Sequence, residues 1–321
     1  MSTLVTLPEA GAAPIVRSEI VGRPTAGQVR VRHGAIGLGT QDVAGVVDAV
    51  GPDAIGFVRG DRVAYHSDTV DLAEMRLIDV DSLVGIPSGV SDEQAAAFLS
   101  RGVLARTLVK ETHPLGGNEV VLVQAAAGIV GSLIVAWAKS LGATVIATVG
   151  TVASRDLAVR AGADSVFVLG KDDVPALVRE LTGGAGADVV YDGSGMATLA
   201  VSSASVRPGG TLVAYGASVE SSRAVQSRLV SRGATLVRQS RSAGAQAGSV
   251  QQGASDFFLA VRGGAFDGLS ITGYPISDAA RALDDFGAHR VAGPIVVLPT
   301  EPTARPVRAD RRRADRTALA A

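Results

Sequence analysis

Residues 119–150 read EVVLVQAAAGIVGSLIVAWAKSLGATVIATVG. Glu119–Gln124 is a short apolar run rich in valine, the composition of a buried parallel strand. AAAGIVG follows at 125–131. Apolar residues then recur at helical spacing from Ile129 to Leu141, and Gly142 stands where a helix-ending C′ glycine belongs. Ala143–Val149 reads as a second buried strand. Strand, glycine turn, helix and strand make a βαβ unit, whose crossover is right-handed.

The turn has the form A-x-G-x-x-G, with Ala126, Gly128 and Gly131 in its small-residue positions. A small residue at Gly128 lets a pyrophosphate approach the backbone, and Gly131 lets the helix pack closely on the strand. The helix N-terminus offers free N–H groups and a partial positive charge to the phosphates. Between a strand and a helix, this spacing points to dinucleotide binding; a bare structural turn is the plain alternative. NAD-binding folds place an acid about 20 residues past the glycines, on the ribose 2′-OH. Here Gly150-Thr151-Val152-Ala153-Ser154-Arg155 follows the second strand, with no carboxylate before Asp156. Ser154 and Arg155 can instead receive a 2′-phosphate, which favours NADPH over NADH; otherwise Arg155 is a solvated residue of the next helix.

A chain of 321 residues suits two domains, and 47% hydrophobic residues with a mean hydropathy of +0.30 can bury a sizeable core. The net charge of −1 gives no support for nucleic-acid binding. The stretch MSTLVTLPEAGAAP lacks a charged n-region and a long apolar run, and no segment is apolar for long enough to span a bilayer. The expectation is a cytoplasmic protein acting on a small molecule, without membrane or nucleic-acid partner. With no cysteine, disulfides and Cys-ligated zinc are excluded. His33, His66, His113 and His289 show no ligand spacing.

Upstream, residues 28–36 alternate apolar and polar, and Asp42–Val50 and Gly60–His66 read as further strands, so the N-terminal part is a compact, mostly β domain. Ser91-Asp92-Glu93-Gln94 is a capping box opening a helix to about Glu111. Downstream, strands near 164–169, 188–191, 210–215 and 234–238 alternate with helices, the pattern of a doubly wound parallel α/β sheet. The polar stretch 240–254 reads as a mobile loop, 256–262 and 277–286 as helices, and 294–299 as a closing strand. The Arg- and Asp-rich tail 301–321 has no apolar period and reads as disordered.

Taken together, AGVVDAVG (44–51), GDRVAY (60–65), AAAF (95–98), the glycine-turn unit at 125–150, GAD (162–164), DVVYDGSG (188–195), RPGGTLVAYG (207–216) and YPISDAARAL (274–283) resemble the zinc-free quinone oxidoreductase branch of the medium-chain dehydrogenase/reductase superfamily. The resemblance implies a GroES-like domain over 1–108, completed by 266–299, and a Rossmann domain over 109–265, with the site at their boundary. It implies NADP(H), no metal, hydride transfer to a quinone or an α,β-unsaturated carbonyl, and a homodimer. By position, Ala127, Gly128, Ile129, Val130 and Gly131 would meet the pyrophosphate, Ser154 and Arg155 the 2′-phosphate, and Tyr215, Gly216 and Ala217 the nicotinamide end.

The departures are also specific. The family carries a segment of roughly twenty residues after the GAI strand that walls the substrate pocket, the kind of loop that carries function; here Gly37 runs almost directly into Asp42. Asp42 matches either the family's early aspartate or the acid before the second glycine strand, according to where the gap falls. Gly39 stands nearest a lost asparagine, Leu72 replaces a pocket tyrosine, Leu104 a threonine, Arg101 a glutamine, Ser154 a lysine, Leu169 a tyrosine and Pro294 a lysine. The reductase reading therefore stands beside a second, a reductase-derived non-redox enzyme (cyclase, dehydratase or isomerase), and a third, a binding protein without catalysis. Candidate catalytic groups are Asp42 and His66 as acid or base and Arg101 as a carbonyl-polarising cation, each with a structural alternative.

Overall fold

The computed structural model describes residues 2–6, 15–67, 69, 71–216, 223–239, 247–288 and 290–299. Ala217, His289 and the tail 301–321 lie outside the described residues, as does 240–246 of the expected loop.

The N-terminal half is built on β-strands. The first two, β1 (Ser2–Thr6) and β2 (Ile15–Glu19), pair antiparallel and were not foreseen from the sequence. Next come β3 (Gln28–Gly37), β4 (Asp42–Val50), β5 (Arg62–His66), β6 (Leu72–Ala73), β7 (Met75–Asp79) and β8 (Val84–Gly85). Alternation along β3 buries Val29, Val31, His33 and Ala35 and leaves Arg32 exposed, as its period-two pattern requires. β3 and β4 form a hairpin whose connection is only Leu38–Gln41, and Ile36 faces Val43 beside the turn.

Helix α1 (Asp92–Thr107) begins with the expected capping box: the Ser91 hydroxyl accepts from the Gln94 amide and the Gln94 side chain accepts from the Ser91 amide. Residues 95–100 and 102–105 are all buried, because α1 packs β3, β4 and β5 on one side and two other helices on the other. A π-helical turn, Leu108–Thr112, ends it.

The parallel sheet follows as β9 (Val120–Val123), α2 (Ile129–Ser140), β10 (Thr144–Val149), α3 (Arg155–Arg160), β11 (Ser165–Val168), α4 (Val174–Leu181), β12 (Ala187–Asp192), α5 (Leu199–Ser205), β13 (Val206–Tyr215), α6 (Arg223–Ser231) and β14 (Thr235–Gln239). Its spatial order is β11-β10-β9-β12-β13-β14. The order reverses between β9 and β12, the switch point at which a doubly wound sheet opens a crevice. Val121, Val123, Val145, Val189 and Val213 face one helical layer, while Leu122, Ile146, Val190 and Leu212 face the other.

The polar stretch expected to be a loop is instead helical from Ala247, within α7 (Ala247–Arg262). The reason is tertiary: α7 lies on α1, where an added Cβ at Gly102 would sit 2.3 Å from the Phe257 ring, and one at Gly253 would sit 2.6 Å from Val103. Small residues let the helices approach where no apolar period announces them. The chain closes with β15 (Thr272–Pro275), α8 (Ala279–Gly287) and β16 (Ile295–Leu298), which return to the N-terminal sheet in the order β15-β16-β3-β4-β5-β8, with β7 also on β3.

His33 is locked in the core of this second sheet. Its Nδ1 lies 2.6 Å from the Ala73 carbonyl, which only accepts, so Nδ1 carries the proton and Nε2 accepts from the Tyr65 hydroxyl at 2.8 Å. Burial, helped by the nearby Arg76 charge, lowers the His33 pKa from 6.5 to about 4. Between those values only the unfolded chain takes the proton. The contribution of His33 to stability is therefore complete above pH 6.5 and is lost as the pH falls toward 4, by about 3 kcal/mol. Urea unfolding from pH 4 to 7 should show this loss in the native chain and a correspondingly flatter profile in His33→Gln.

Candidate active site

The glycine turn sits at the switch point. Ala125 adopts a left-handed φ of 52°, the Gly128 amide donates back to the Ala125 carbonyl at 3.0 Å, and α2 starts at Ile129. An added Cβ at Gly131 would lie 2.5 Å from the Ala125 carbonyl oxygen, so glycine is what allows this turn and helix to touch. Gly128 differs: its extended φ of −76° suits any residue, and its added Cβ meets nothing closer than 3.3 Å. No side chain caps α2, its first turn holds no acid, and the Ile129, Val130 and Gly131 amides have no acceptor among the described residues. That is the arrangement that binds an anion.

A chain of buried polar groups lies under this crevice. Thr148 Oγ1 donates to Gln124 Oε1 at 2.5 Å, and Gln124 Nε2 donates to Ser202 Oγ at 3.0 Å. Ser202 Oγ donates to Asp192 Oδ2 at 2.6 Å, and the other Asp192 oxygen accepts from Thr198 Oγ1 at 2.6 Å and the Ser194 amide at 3.0 Å. The network ties β9, β10, β12 and α5 together at the carboxyl ends of the strands. Asp192 lies within the DVVYDGSG stretch, but the partnership of Gln124 with Ser202 joins residues 78 apart in the chain and has no local signal in the sequence.

The cleft above has a volume of about 220 Å³ and is lined by the glycine turn, Arg101, Gly193, Tyr215, Leu38, Gly39 and Phe286. Tyr215 ends β13 and is buried, with its ring against Gly193, where an added Cβ would lie 2.5 Å away. Gly216 follows it. Ser154 and Arg155 lie past the end of β10: Ser154 Oγ is 2.9 Å from Thr151 Oγ1, and Arg155 Nη2 donates to Asp172 Oδ2 at 3.3 Å. Arg155 Nε is buried and has no acceptor among the described residues.

Of the three candidate catalytic residues, Asp42 and His66 pair with each other and Arg101 faces a different space. Arg101 lines the cleft, and its Nη2 donates to the Gly39 carbonyl at 3.3 Å. Asp42, one residue beyond the hairpin turn, is completely buried; its Oδ2 accepts from the amide and the hydroxyl of Ser100, each at 2.9 Å, and its Oδ1 faces His66 Nδ1 at 3.0 Å. Burial raises the Asp42 pKa, opposed by the bonds from His66 and Ser100. The pairing of Asp42 with His66 comes from the β4–β5 register, which sets the two residues opposite each other. His66 lines a different cavity, of about 650 Å³, beside Tyr65 and Arg76. Leu38 and Phe286 are cleft residues that the sequence did not announce.

The cleft suits a dinucleotide on observations of this chain alone: open amides at the N-terminus of α2, no acid between Gly150 and Arg155, and a buried Arg155 donor without an acceptor. Among the described residues no cluster of three or more His, Asp or Glu could hold a metal ion. Fold and site together define a dinucleotide-binding doubly wound α/β domain joined to a mostly antiparallel β domain.

Comparison with known proteins agrees. A sequence profile described as zinc-binding dehydrogenase matches residues 130–259. The chain is 31% identical over 309 residues to a 2-haloacrylate reductase of a Burkholderia species, spanning 87% of this chain and 93% of that protein. It superposes on a mycobacterial quinone oxidoreductase with a TM-score of 0.82 and 31% identity, covering 93% and 99% of the two chains. The Escherichia coli quinone oxidoreductase solved with NADPH gives a TM-score of 0.79 at 25% identity, covering 93% and 100%. The chain belongs to the medium-chain dehydrogenase/reductase superfamily, in its quinone oxidoreductase branch. The six-stranded sheet is its Rossmann part and the sheet around β3 and β4 its GroES-like part.

The Asp192 network makes a direct test of the crevice floor. Asp192→Ala leaves the Thr198 and Ser202 hydroxyls and the Ser194 amide without their acceptor. The expected loss is about 3 kcal/mol, read as a lower urea midpoint at unchanged m-value.

Proposed function

We propose that the protein is an NADPH-dependent oxidoreductase that passes hydride to a quinone or to the β-carbon of an α,β-unsaturated carbonyl. The observation that carries this reading is the uncapped N-terminus of α2 at the switch point, reached by a turn that Gly128 leaves open. The relatives that match most of the chain support it, being a quinone oxidoreductase solved with NADPH and a 2-haloacrylate reductase.

In this reading Ala127 to Gly131 receive the pyrophosphate, Ser154 and Arg155 the 2′-phosphate, and Tyr215 and Gly216 the nicotinamide end; Ala217 is assigned there from the sequence alone. NADPH supplies the hydride when bound. Arg101 faces the same cleft as Tyr215 and donates to the acceptor oxygen as negative charge develops there. Asp42 fixes His66 through Nδ1, and His66 lines the neighbouring cavity rather than the cleft. A proton from water completes the reduced product.

We assign residues 1–108 with 266–299 to the GroES-like domain and 109–265 to the Rossmann domain, because β15 and β16 rejoin the sheet of β3. We also propose a cytoplasmic homodimer. β14, an edge of the parallel sheet among the described residues, offers a surface for such pairing.

Fluorescence titration with NADPH and NADH tests the reading. NADPH should bind more tightly than NADH. Gly128→Val should weaken NADPH binding at least about tenfold, with a melting temperature confirming that the variant remains folded. Arg155→Glu should remove most of the preference for NADPH. Failure of the native chain to bind either nucleotide would overturn the proposal and leave the non-redox reading.

A further inference from the structure

The short β3–β4 connection leaves a second cavity beside the nucleotide cleft. Its volume is about 210 Å³. Its lining is mostly apolar, with Ile36, Val43, Leu72 and Leu283, and its polar part includes His33, Ser67 and the Asp71–Arg76 ion pair at 3.6 Å. This cavity and the cleft share three lining residues, Leu38, Gly39 and Phe286.

Phe286 comes from the last turn of α8 and reaches back over the hairpin. Gly39 receives its ring edge: an added Cβ there would lie 2.4 Å from Phe286 Cζ, and the Gly39 φ of +72° disfavours any other residue. The ring remains 38% exposed, large and apolar at a boundary rather than packed inside the core. It lines both spaces, so its position decides whether they are separate or continuous.

We propose that Phe286 is a specificity-determining residue that partitions the nucleotide cleft from this cavity, and that the cavity receives the single apolar ring or short alkyl group of a quinone or enone whose reactive carbonyl lies in the cleft. The inference rests on the reductase reading above. Size supports it: an apolar cavity of about 150 Å³ already accepts a benzene ring, and this one is somewhat larger. The pocket's shape supports it as well. An apolar substituent gains contact with Leu72 and Leu283, while one long enough to reach Arg76 and Asp71 must desolvate an ion pair.

The test uses 2-alkyl-1,4-benzoquinones from methyl to decyl with the full chain, Phe286→Ala and Leu283→Trp. Two readouts are taken: kcat/KM for reduction by NADPH, and calorimetric binding of each quinone in the presence of NADP⁺. In the native chain affinity should rise with chain length and then stop rising once the cavity is filled. Phe286→Ala should favour the decyl over the methyl compound by at least about tenfold more than the native chain does. Leu283→Trp should weaken the hexyl compound about tenfold while leaving NADPH binding within about twofold. An identical chain-length profile in all three proteins, or no quinone binding in any, would overturn the inference. Reduction with an unchanged profile would refute the role of Phe286 while keeping the reductase reading; a shifted binding profile without reduction would do the reverse.

Discussion

The buried carboxylate of Asp42 is the point on which the relation between the six-stranded sheet and the sheet around β3 and β4 turns. It accepts from both the amide and the hydroxyl of Ser100 in the middle of α1, while Thr40, two residues earlier, donates to the Ala96 carbonyl one turn back at 3.0 Å. The hairpin thus grips one turn of α1 at a carbonyl and at an amide. An added Cβ at Gly37 would lie 2.2 Å from that same carbonyl, so the contact leaves no slack. Because α1 also packs against α2 and α7, whatever fixes the hairpin on α1 fixes it over the nucleotide cleft. A fully buried carboxylate is costly to hold and more costly to leave unpaired, which concentrates the dependence on these few bonds.

From this clamp the wall of the site follows. A connection of four residues, Leu38 to Gln41, cannot reach far from its strands, so its tip stays beside Arg101 and Phe286. Arg101 follows Ser100 directly, and its guanidinium returns to the Gly39 carbonyl. One short turn is therefore held from α1 at Ala96, Ser100 and Arg101, and touched from α8 by Phe286. On the opposite side the crevice is floored by the Gln124–Ser202–Asp192 network, whose groups are all paired. The upper amides of α2 are left open. Saturated polar groups below and unsaturated donors above are what a rigid anion site requires.

The parallel sheet was legible because its chemistry is local. Valine-rich runs, a glycine turn and helical apolar spacing each lie within one window, and the strand–helix alternation carries the doubly wound class with it. The capping box at Ser91 was legible for the same reason. What escaped depends on neighbours distant in the chain. α7 begins in Ala, Gly, Ser and Gln residues without an apolar period and is held by its contact with α1. β1 and β2 follow no strong pattern and gain their order from each other and from the pairing of β1 with β6. Phe286 looked like one apolar residue of a short helix; only the returning path of β15, α8 and β16 sets it against Gly39, 247 positions earlier. Asp42, His66 and Arg101 could each be named, but that the first two pair while the third faces another space is a fact of strand register.

The far end of the crevice shows how a selectivity element can arise from what is missing. An acid at the end of β10 would hydrogen-bond a ribose hydroxyl and repel a 2′-phosphate, whose two negative charges would sit at close range. This chain has Ser154 and Arg155 there instead. One terminal nitrogen of Arg155 is held by Asp172, and Asp172 is itself fixed by the Val168 amide at 2.6 Å. The ion pair orients the guanidinium and also lowers the net positive charge it presents. The Nε donor, buried without an acceptor, is the part that remains to be satisfied. The side chain as a whole is 44% exposed, so in the proposed reading a phosphate meets the exposed face of the planar guanidinium, and lysine, which lacks that fork, would not preserve the preference.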